Sequence, residues 1–571
     1  MLIETLLSLS VHVDMRGLAL TFDLLAKTPN EAAVRALIHA LEVNDRSVRA
    51  AALRAMIHRN SSVAKEAVVR RWHCISEPGR EFLTNSGREW LSPALRIAIR
   101  GYEDQFNANG LSAAIALRDY EMIPTLVEAM NDRANPFNER AAITLIEISE
   151  LLHDVLHSPR DYRDRRDPNQ LRQYVLPSLE HCVTRGDGVC RMEISEAFLL
   201  LAGRDNAALK HVLVTSTDRH HQPFIDLFTT SSRPGLTRLL LSYLEDSSAP
   251  LAALQVIGRR TDITFIRQLF RRIGNEPSKI IRANLKRIAK CVWLEKGLAL
   301  LEAVNESEQA GAANFAVHAG IDRGLALEVV AFLLRRGGPA ARRSAVGLLV
   351  DFAGPFADEL CLLASNDNDP YVRALSAPQL RNRGLAGGIQ RLLEMVGSEN
   401  EIEREAARTT LDDFRFDHLV DVFDGLTPEM QKQTGLLVKR IDPQALTKLS
   451  RELSSEHRQQ KQRGLQLVVA LDAIGELHHD VTALLHDPDE YLRAEAVRVL
   501  SLFDMPETRQ ALRSALLDSS RLVQETAERA LTELKAKTKH PFGAFENSAQ
   551  EVWSSLPLWN EPPAEVQRGN P

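Results

Sequence analysis

One short block recurs in a fixed register between Gly338 and Leu411. Gly338-Pro-Ala-Ala-Arg342-Arg-Ser-Ala, Asp369-Pro-Tyr-Val-Arg373-Ala-Leu-Ser and Asn400-Glu-Ile-Glu-Arg404-Glu-Ala-Ala place arginines at 342, 373 and 404, a period of 31 from 373 − 342 and 404 − 373. A second pair gives the same spacing, because Asp487-Pro-Asp-Glu-Tyr-Leu492-Arg493 is followed by Asp518-Ser-Ser-Arg-Leu-Val523, and 518 − 487 = 31. A repeat of this length holds one helical hairpin, so the chain is expected to be a stack of two-helix units. The earliest clear copy begins at Asp45. Val48, Ala52, Ala55 and Met56 stand at i, i+4, i+7 and i+8, one stripe of a helix, with Asp45 placed to cap its free backbone donors. Residues 33–41 supply the partner helix.

Composition narrows the class. A 571-residue chain with 44 % hydrophobic residues holds more than one compact core, and only 5 % aromatics with abundant Leu, Ala and Arg suit closely packed helices better than sheets. The net charge of −6 gives no global attraction to nucleic acid or anionic lipid. Cys74, Cys182, Cys190, Cys291 and Cys361 are odd in number and lack C-x-x-C spacing, which argues against a disulfide framework or a zinc knuckle and for a reducing, cytoplasmic setting. The apolar N-terminus carries Glu4 and no basic leader, and reads as a first capping helix rather than a signal peptide. No apolar run reaches the roughly 20 residues a membrane span requires.

The pattern breaks in four places. From Arg71 to Asn109 it is interrupted by Pro78, Gly79, Gly87, Pro93 and Gly101, and Trp72, Trp90 and Tyr102 gather there; larger side chains plugging degenerate repeats is the expected outcome. The charged run at 159–168, between two prolines, is expected to be a solvated loop. Between Arg233 and Lys290, twelve basic residues face four acidic ones. Within it Arg259, Arg260, Arg267, Arg271, Arg272, Arg282, Lys286, Arg287 and Lys290 form a candidate basic ridge for an acidic partner segment. Beyond 535 the apolar residues lose any period, so 536–571 is expected to be a largely disordered tail.

The block Asp-Pro-x-x-Φ-Arg-x-x-Ala-Φ, at Asp487 to Val497 and at Asn368 to Ala377, resembles the second-helix signature of HEAT repeats. The resemblance is clearest at 45–56, 338–411 and 487–531 and degenerate over 60–330. It implies an all-α fold, a right-handed α-α superhelix of HEAT/armadillo-like type over residues 1–535, with a concave face that binds extended partners. It also implies that Asp45, Asp487 and Asp518 cap or hold the intra-repeat turn and that Arg49, Arg373 and Arg493 bridge neighbouring repeats. Gln524 in place of Arg and Ser376 in place of Ala depart from the signature. The physical argument agrees, because a lone hairpin cannot bury its stripe and must stack on neighbours.

No phosphate loop, dinucleotide fingerprint, zincin helix or nucleophile elbow occurs. His478-His479-Asp480 and His486-Asp487 hold the densest ligand-like cluster, but His479 and His486 lie two helical turns apart, about 10 Å, too far to share one ion alone. An iron hydroxylase of this repeat class would carry His-Glu pairs, and the chain has none. The expected function is therefore a non-enzymatic scaffold or adaptor without cofactor or metal that binds proteins, an acidic segment among them. Nucleic-acid binding through residues 259–290 is the alternative, weakened by the absence of interleaved aromatics.

Overall fold

At Asp45 the backbone is extended, and the carboxylate accepts hydrogen bonds from the N–H groups of Ser47 (2.7 Å) and Val48 (3.1 Å) at the head of the Arg46–Arg59 helix. This satisfies donors that a helix start leaves open. The stripe Val48, Ala52, Ala55 and Met56 is buried, against the Ala32–Glu42 helix that forms the other arm of the hairpin. The computed structural model describes residues 15–158, 166–185, 190–295 and 297–537, and all regular elements among them are helices. The expected N-terminal capping helix, most of the charged loop at 159–168 and the tail beyond Lys537 lie outside the described residues.

The chain divides into two compact units between Ala364 and Ser365. In the first, second arms of successive hairpins pack on one another, as Asn138–His157 does on Met192–Leu201, and Ile263–Ile273 on Glu306–His318, which in turn meets Pro339–Leu349. In the second unit, Pro370–Asn382 packs on Glu401–Thr410, Pro428–Ile441 on Arg458–Ala470, and Glu490–Leu500 on both Arg458–Ala470 and Arg521–Lys537. The outer arms Gly388–Val396, Ala445–Leu453 and Pro506–Ala515 cover their own partners. Buried alanines at the seams, Ala345, Ala496 and Ala527, keep the axes close.

One atomic device recurs at the turn before three second arms of the second unit, at positions i, i+2 and i+6. The side chain at i accepts from the N–H at i+2, and the long side chain at i+6 folds back onto the carbonyl of i. Asp367, Asp369 and Arg373 do this at 2.8 and 2.6 Å. Ser398, Asn400 and Arg404 do so at 3.2 and 2.9 Å, and Asp487, Asp489 and Arg493 at 2.9 and 2.9 Å. Two of these arginines also reach the next repeat: Arg373 Nη2 donates to Glu403 (2.7 Å), and Arg493 pairs through two nitrogens with Asp518 (2.9 Å each). Lys461 holds Asp487 at 2.6 Å.

Three sequence expectations change in detail. The N-cap of the Glu490–Leu500 helix is Asp489, and Asp487 instead anchors the turn and receives Lys461. Asp518 likewise holds its turn through Ser520 N–H and takes Arg493, rather than capping. Arg49 has no inter-repeat hydrogen bond or ion pair among the described residues, and its Nε is buried without a partner. Gln524, by contrast, keeps the arginine's local contact, its amide donating to Asp518 O at 2.6 Å. Between 71 and 109 the helices continue: Pro93 lies inside Arg88–Arg100, Pro78 in the first turn of Glu77–Ser86, and Trp72 is fully buried, while Tyr102 is exposed.

The Arg493–Asp518 pair is nearly enclosed, so truncating Arg493 to Ala is expected to cost about 2–4 kcal/mol by leaving a carboxylate and two turn carbonyls short of donors. The Arg493 hydrogen bond holds the Asp518 carboxyl below the usual aspartate range. The contribution of the pair is therefore present above the unfolded-chain value of about 4 and lost as pH falls through the lower folded value. Thermal melts should show wild type well above Asp518→Asn at pH 7, with the gap narrowing as pH falls below about 4.

Candidate functional site

The basic segment 259–290 runs through three helices, Leu251–Arg259, Ile263–Ile273 and Lys279–Leu285. Its charges fall into two groups. Arg260 is 3 % exposed. Its Nη1 donates to Phe228 O and Ser231 O, both at 2.9 Å, its Nε reaches Asp262 at 2.8 Å, and its guanidinium lies 4.5 Å over the Phe265 ring. It closes the carbonyl end of the His221–Thr230 helix, a structural task.

Arg267 and Arg271, one turn apart on the same helix, converge on one carboxylate. Arg267 Nε donates to Glu308 Oε2 at 2.9 Å and Arg271 Nη2 to Oε1 at 2.6 Å. Glu308 is 1 % exposed and also completes a capping box with Asn305 at the head of the Glu306–His318 helix. Burial alone would raise its pKa, but the hydrogen bonds from Arg267, Arg271 and the Asn305 N–H outweigh it, and the pKa is lowered. Arg272 pairs with Glu245 at 2.6 Å. Close approach of the helices makes this possible: a Cβ on Gly311 would run into the Phe270 carbonyl, and one on Gly258 into that of Lys290.

The second group has no carboxylate partner among the described residues. On the short Lys279–Leu285 helix and the turn after it, Ile281, Asn284, Leu285 and Ile288 are buried, so Lys279, Arg282, Lys286, Arg287 and Lys290 share the outer face. Asn284 clamps this face in place by donating to the carbonyls of Tyr243, Leu244 and Asp246 at 3.2, 3.1 and 2.8 Å. Arg282 Nε is held by Pro277 O at 2.9 Å, and Arg287 Nη1 by Asn284 Oδ1 at 3.2 Å, contacts that aim the guanidiniums without neutralising them. Arg259 is exposed as well, at the end of its own helix. His318 lies half-buried beside Arg282; desolvation, then the Arg282 charge, lowers its pKa.

The nine ridge residues thus separate. Arg260, Arg267, Arg271 and Arg272 are engaged within the fold, and Arg259, Arg282, Lys286, Arg287 and Lys290 remain open, joined by Lys279. Sequence reasoning missed Glu308, whose spacing from Asn305 is that of a capping box, and Asn284, for which no local signal exists. Elsewhere, His478 Nε2 is bonded to Thr508 Oγ1 at 3.0 Å. No group of three His, Cys, Asp or Glu that could hold a metal ion is found among the described residues, and no described helix is long and apolar enough to cross a membrane.

Helix hairpins stacked through small residues, with arginines tying the turns before three second arms, define an all-α fold of the HEAT/armadillo-like class. Residues 480–541 match the HEAT-repeat sequence family, and the chain carries HEAT repeats. No curated protein matches it in sequence. Among solved structures it is similar to Kap95p with RanGDP, at 11 % identity over 92 % of this chain and 78 % of that one, with a TM-score of 0.26. Kap121p bound to Pho4p aligns at 11 % identity over 93 % of this chain and 66 % of that one (TM-score 0.26), and Kap121p bound to RanGTP at 12 % over 85 % and 52 % (TM-score 0.29). Superpositions of this quality give no common arrangement of the repeats.

Replacing Glu308 by Ala strands two arginines and removes a capping box. The expected loss is about 3–5 kcal/mol, the range for breaking a buried pair from one side. Denaturant titration monitored by circular dichroism should show an early transition in Glu308→Ala that Glu306→Ala, an exposed neighbour on the same helix, lacks.

Proposed function

We propose that this chain is a non-enzymatic scaffold or adaptor that captures protein partners through an acidic segment docking on the outer face of Lys279–Leu285 and the turn that follows. The observation that supports it is the set of five cations on one short face, held in place by a buried asparagine and left without carboxylate partners among the described residues. Their neighbours Arg267, Arg271 and Arg272 are paired, so the open ones are not a general surplus. An extended acidic segment answers such a face at several points, and its attraction is electrostatic and long-ranged.

Nucleic acid is the weaker partner class, because the exposed aromatics of the described residues, Tyr102, Tyr174, Phe356, Tyr371 and Tyr491, all lie outside the segment. We further propose that residues 1–535 serve as one repeat array with 536–571 as a tail, and that five cysteines without disulfides fit a cytoplasmic setting.

Reversing charge at Arg282, Lys286, Arg287 and Lys290 to Glu is expected to abolish retention on an immobilised polyglutamate peptide at about 0.1 M salt and to reduce native partner capture at least tenfold. Equal capture by the reversed and wild-type proteins would refute the reading. A gel shift with single-stranded DNA at low salt separates the alternative: a complex that is lost on raising salt and on charge reversal would favour nucleic acid.

A further inference from the structure

A second charged feature lies among the helices that precede this segment. Five elements of the first unit, the helices Asn138–His157, Pro168–Arg185, Met192–Leu201 and Pro234–Ser242 and the turn at 202–206, line an open cleft of about 320 Å³. That volume is at the lower end of small-ligand sites, which run from about 300 to 1,000 Å³. Its lining is of two kinds. Leu156, Leu200 and Leu239 give an apolar wall, and Arg172, Arg204 and Arg238 contribute three guanidiniums from three different elements.

Each arginine has donors to spare. Arg172 is anchored by Nε, which donates to Leu201 O at 2.6 Å, and its Nη2 lies over Gly203, where a Cβ would come within 2.8 Å of it. Glycine at 203 therefore leaves the space the guanidinium occupies. Arg204 is anchored by Nη1 to Ser242 O at 3.1 Å, with carboxylates of Asp205 and Glu245 no nearer than 3.9 Å. Asp205, the one acid in the lining, pairs with Lys210 at 3.3 Å. Arg238 is exposed, with neither a hydrogen bond nor an ion pair among the described residues. Three cations lining one cleft favour an anion within it.

A pair of histidines also lines the cleft. His153 is 5 % exposed. Its Nδ1 faces Asp154 at 3.5 Å, while Nε2 lies at the edge of Gly235, 3.2 Å from where a Cβ would stand, and has no hydrogen-bond partner among the described residues. Beside it His157 stacks with ring centroids 4.2 Å apart and bonds through Nδ1 to His153 O at 2.8 Å; a carbonyl only accepts, so Nδ1 carries the proton and Nε2 is left open. An imidazole nitrogen that lines an open cleft and has no protein partner is placed to receive a polar ligand.

We propose that this cavity binds a small organic phosphomonoester, its phosphoryl oxygens on Arg172, Arg204 and Arg238, its apolar body against Leu156, Leu200 and Leu239, and a polar group reaching His153 Nε2. Guanidinium forks match phosphate oxygens in pairs, and an anion with three free oxygens can join three separate forks. The volume exceeds that of phosphate alone and leaves room for an organic remainder such as a small ring.

Isothermal titration calorimetry of the full chain in phosphate-free buffer at low salt tests this, with phenyl phosphate, inorganic phosphate, phenol and a phosphoserine peptide as probes. Phenyl phosphate is expected to bind with 1:1 stoichiometry, inorganic phosphate at least tenfold more weakly, and phenol not measurably. Arg238→Ala should weaken phenyl phosphate at least tenfold with an unchanged melting temperature, since Arg238 holds nothing in the fold. Gly203→Ala should weaken it as well, by displacing Arg172. Absence of saturable phenyl phosphate binding, or equal affinity in Arg238→Ala, would overturn the proposal. So would saturable binding of the phosphoserine peptide with none of phenyl phosphate, which would make the ligand a protein.

Discussion

A guanidinium folded back onto the carbonyl of the turn that precedes its own helix is the contact on which the repeat depends. A helix start leaves N–H groups open, and the turn entering it leaves carbonyls facing the seam between hairpins. Arg373, Arg404 and Arg493 satisfy those carbonyls from position i+6, while the side chain at i, an aspartate or a serine, shapes the turn through the N–H at i+2. One side chain thereby fixes the angle at which the second arm leaves the turn. Where the same arginine reaches a carboxylate of the next repeat, as Arg373 and Arg493 do, it also fixes the spacing of neighbours. The alanine seams and the glycines over backbone carbonyls then have only one separation to fit.

The parts of this arrangement that are local in sequence were legible before any coordinates. The 31-residue period, the stripe at Val48, Ala52, Ala55 and Met56, and the cap at Asp45 each involve residues within a few turns of one another. The errors arose where two residues compete for one role. Asp487-Pro-Asp489 offers two carboxylates two residues apart, and periodicity cannot say which of them caps; both are needed, one for the turn and one for the helix. Gln524 looked like a departure, yet an amide can donate to a carbonyl as a guanidinium can, and only the bridge to a further repeat is given up.

The degenerate region keeps the principle while losing the signature. Arg59 donates to Leu25 O and Thr28 O, Arg172 to Leu201 O, Arg260 to Phe228 O and Ser231 O, and asparagines at 284 and 314 gather carbonyls of the preceding hairpin. No Asp-Pro block announces these contacts, so a motif cannot find them. For the charged segment, the sequence gives the number of cations but not their partners: Glu308 stands 37 and 41 residues from the arginines it neutralises, beyond any helical periodicity. Only the stacked arrangement separates engaged charges from open ones. The cavity at His153 is less legible still, since its cations come from three elements that share no pattern.

These locks have a kinetic side. Those that join one hairpin to the next connect residues between 25 and 41 positions apart, as from Arg493 to Asp518 and from Arg267 to Glu308. Contacts that close loops of about one repeat give a low contact order, and loop-closure entropy grows only slowly over such lengths. Each hairpin can therefore form against a neighbour already in place, and order spreads along the array by accretion rather than by a single collapse. By the same logic a broken lock opens a local gap that the remaining repeats survive, so damage to one seam should appear as fraying beside it before it appears as global unfolding.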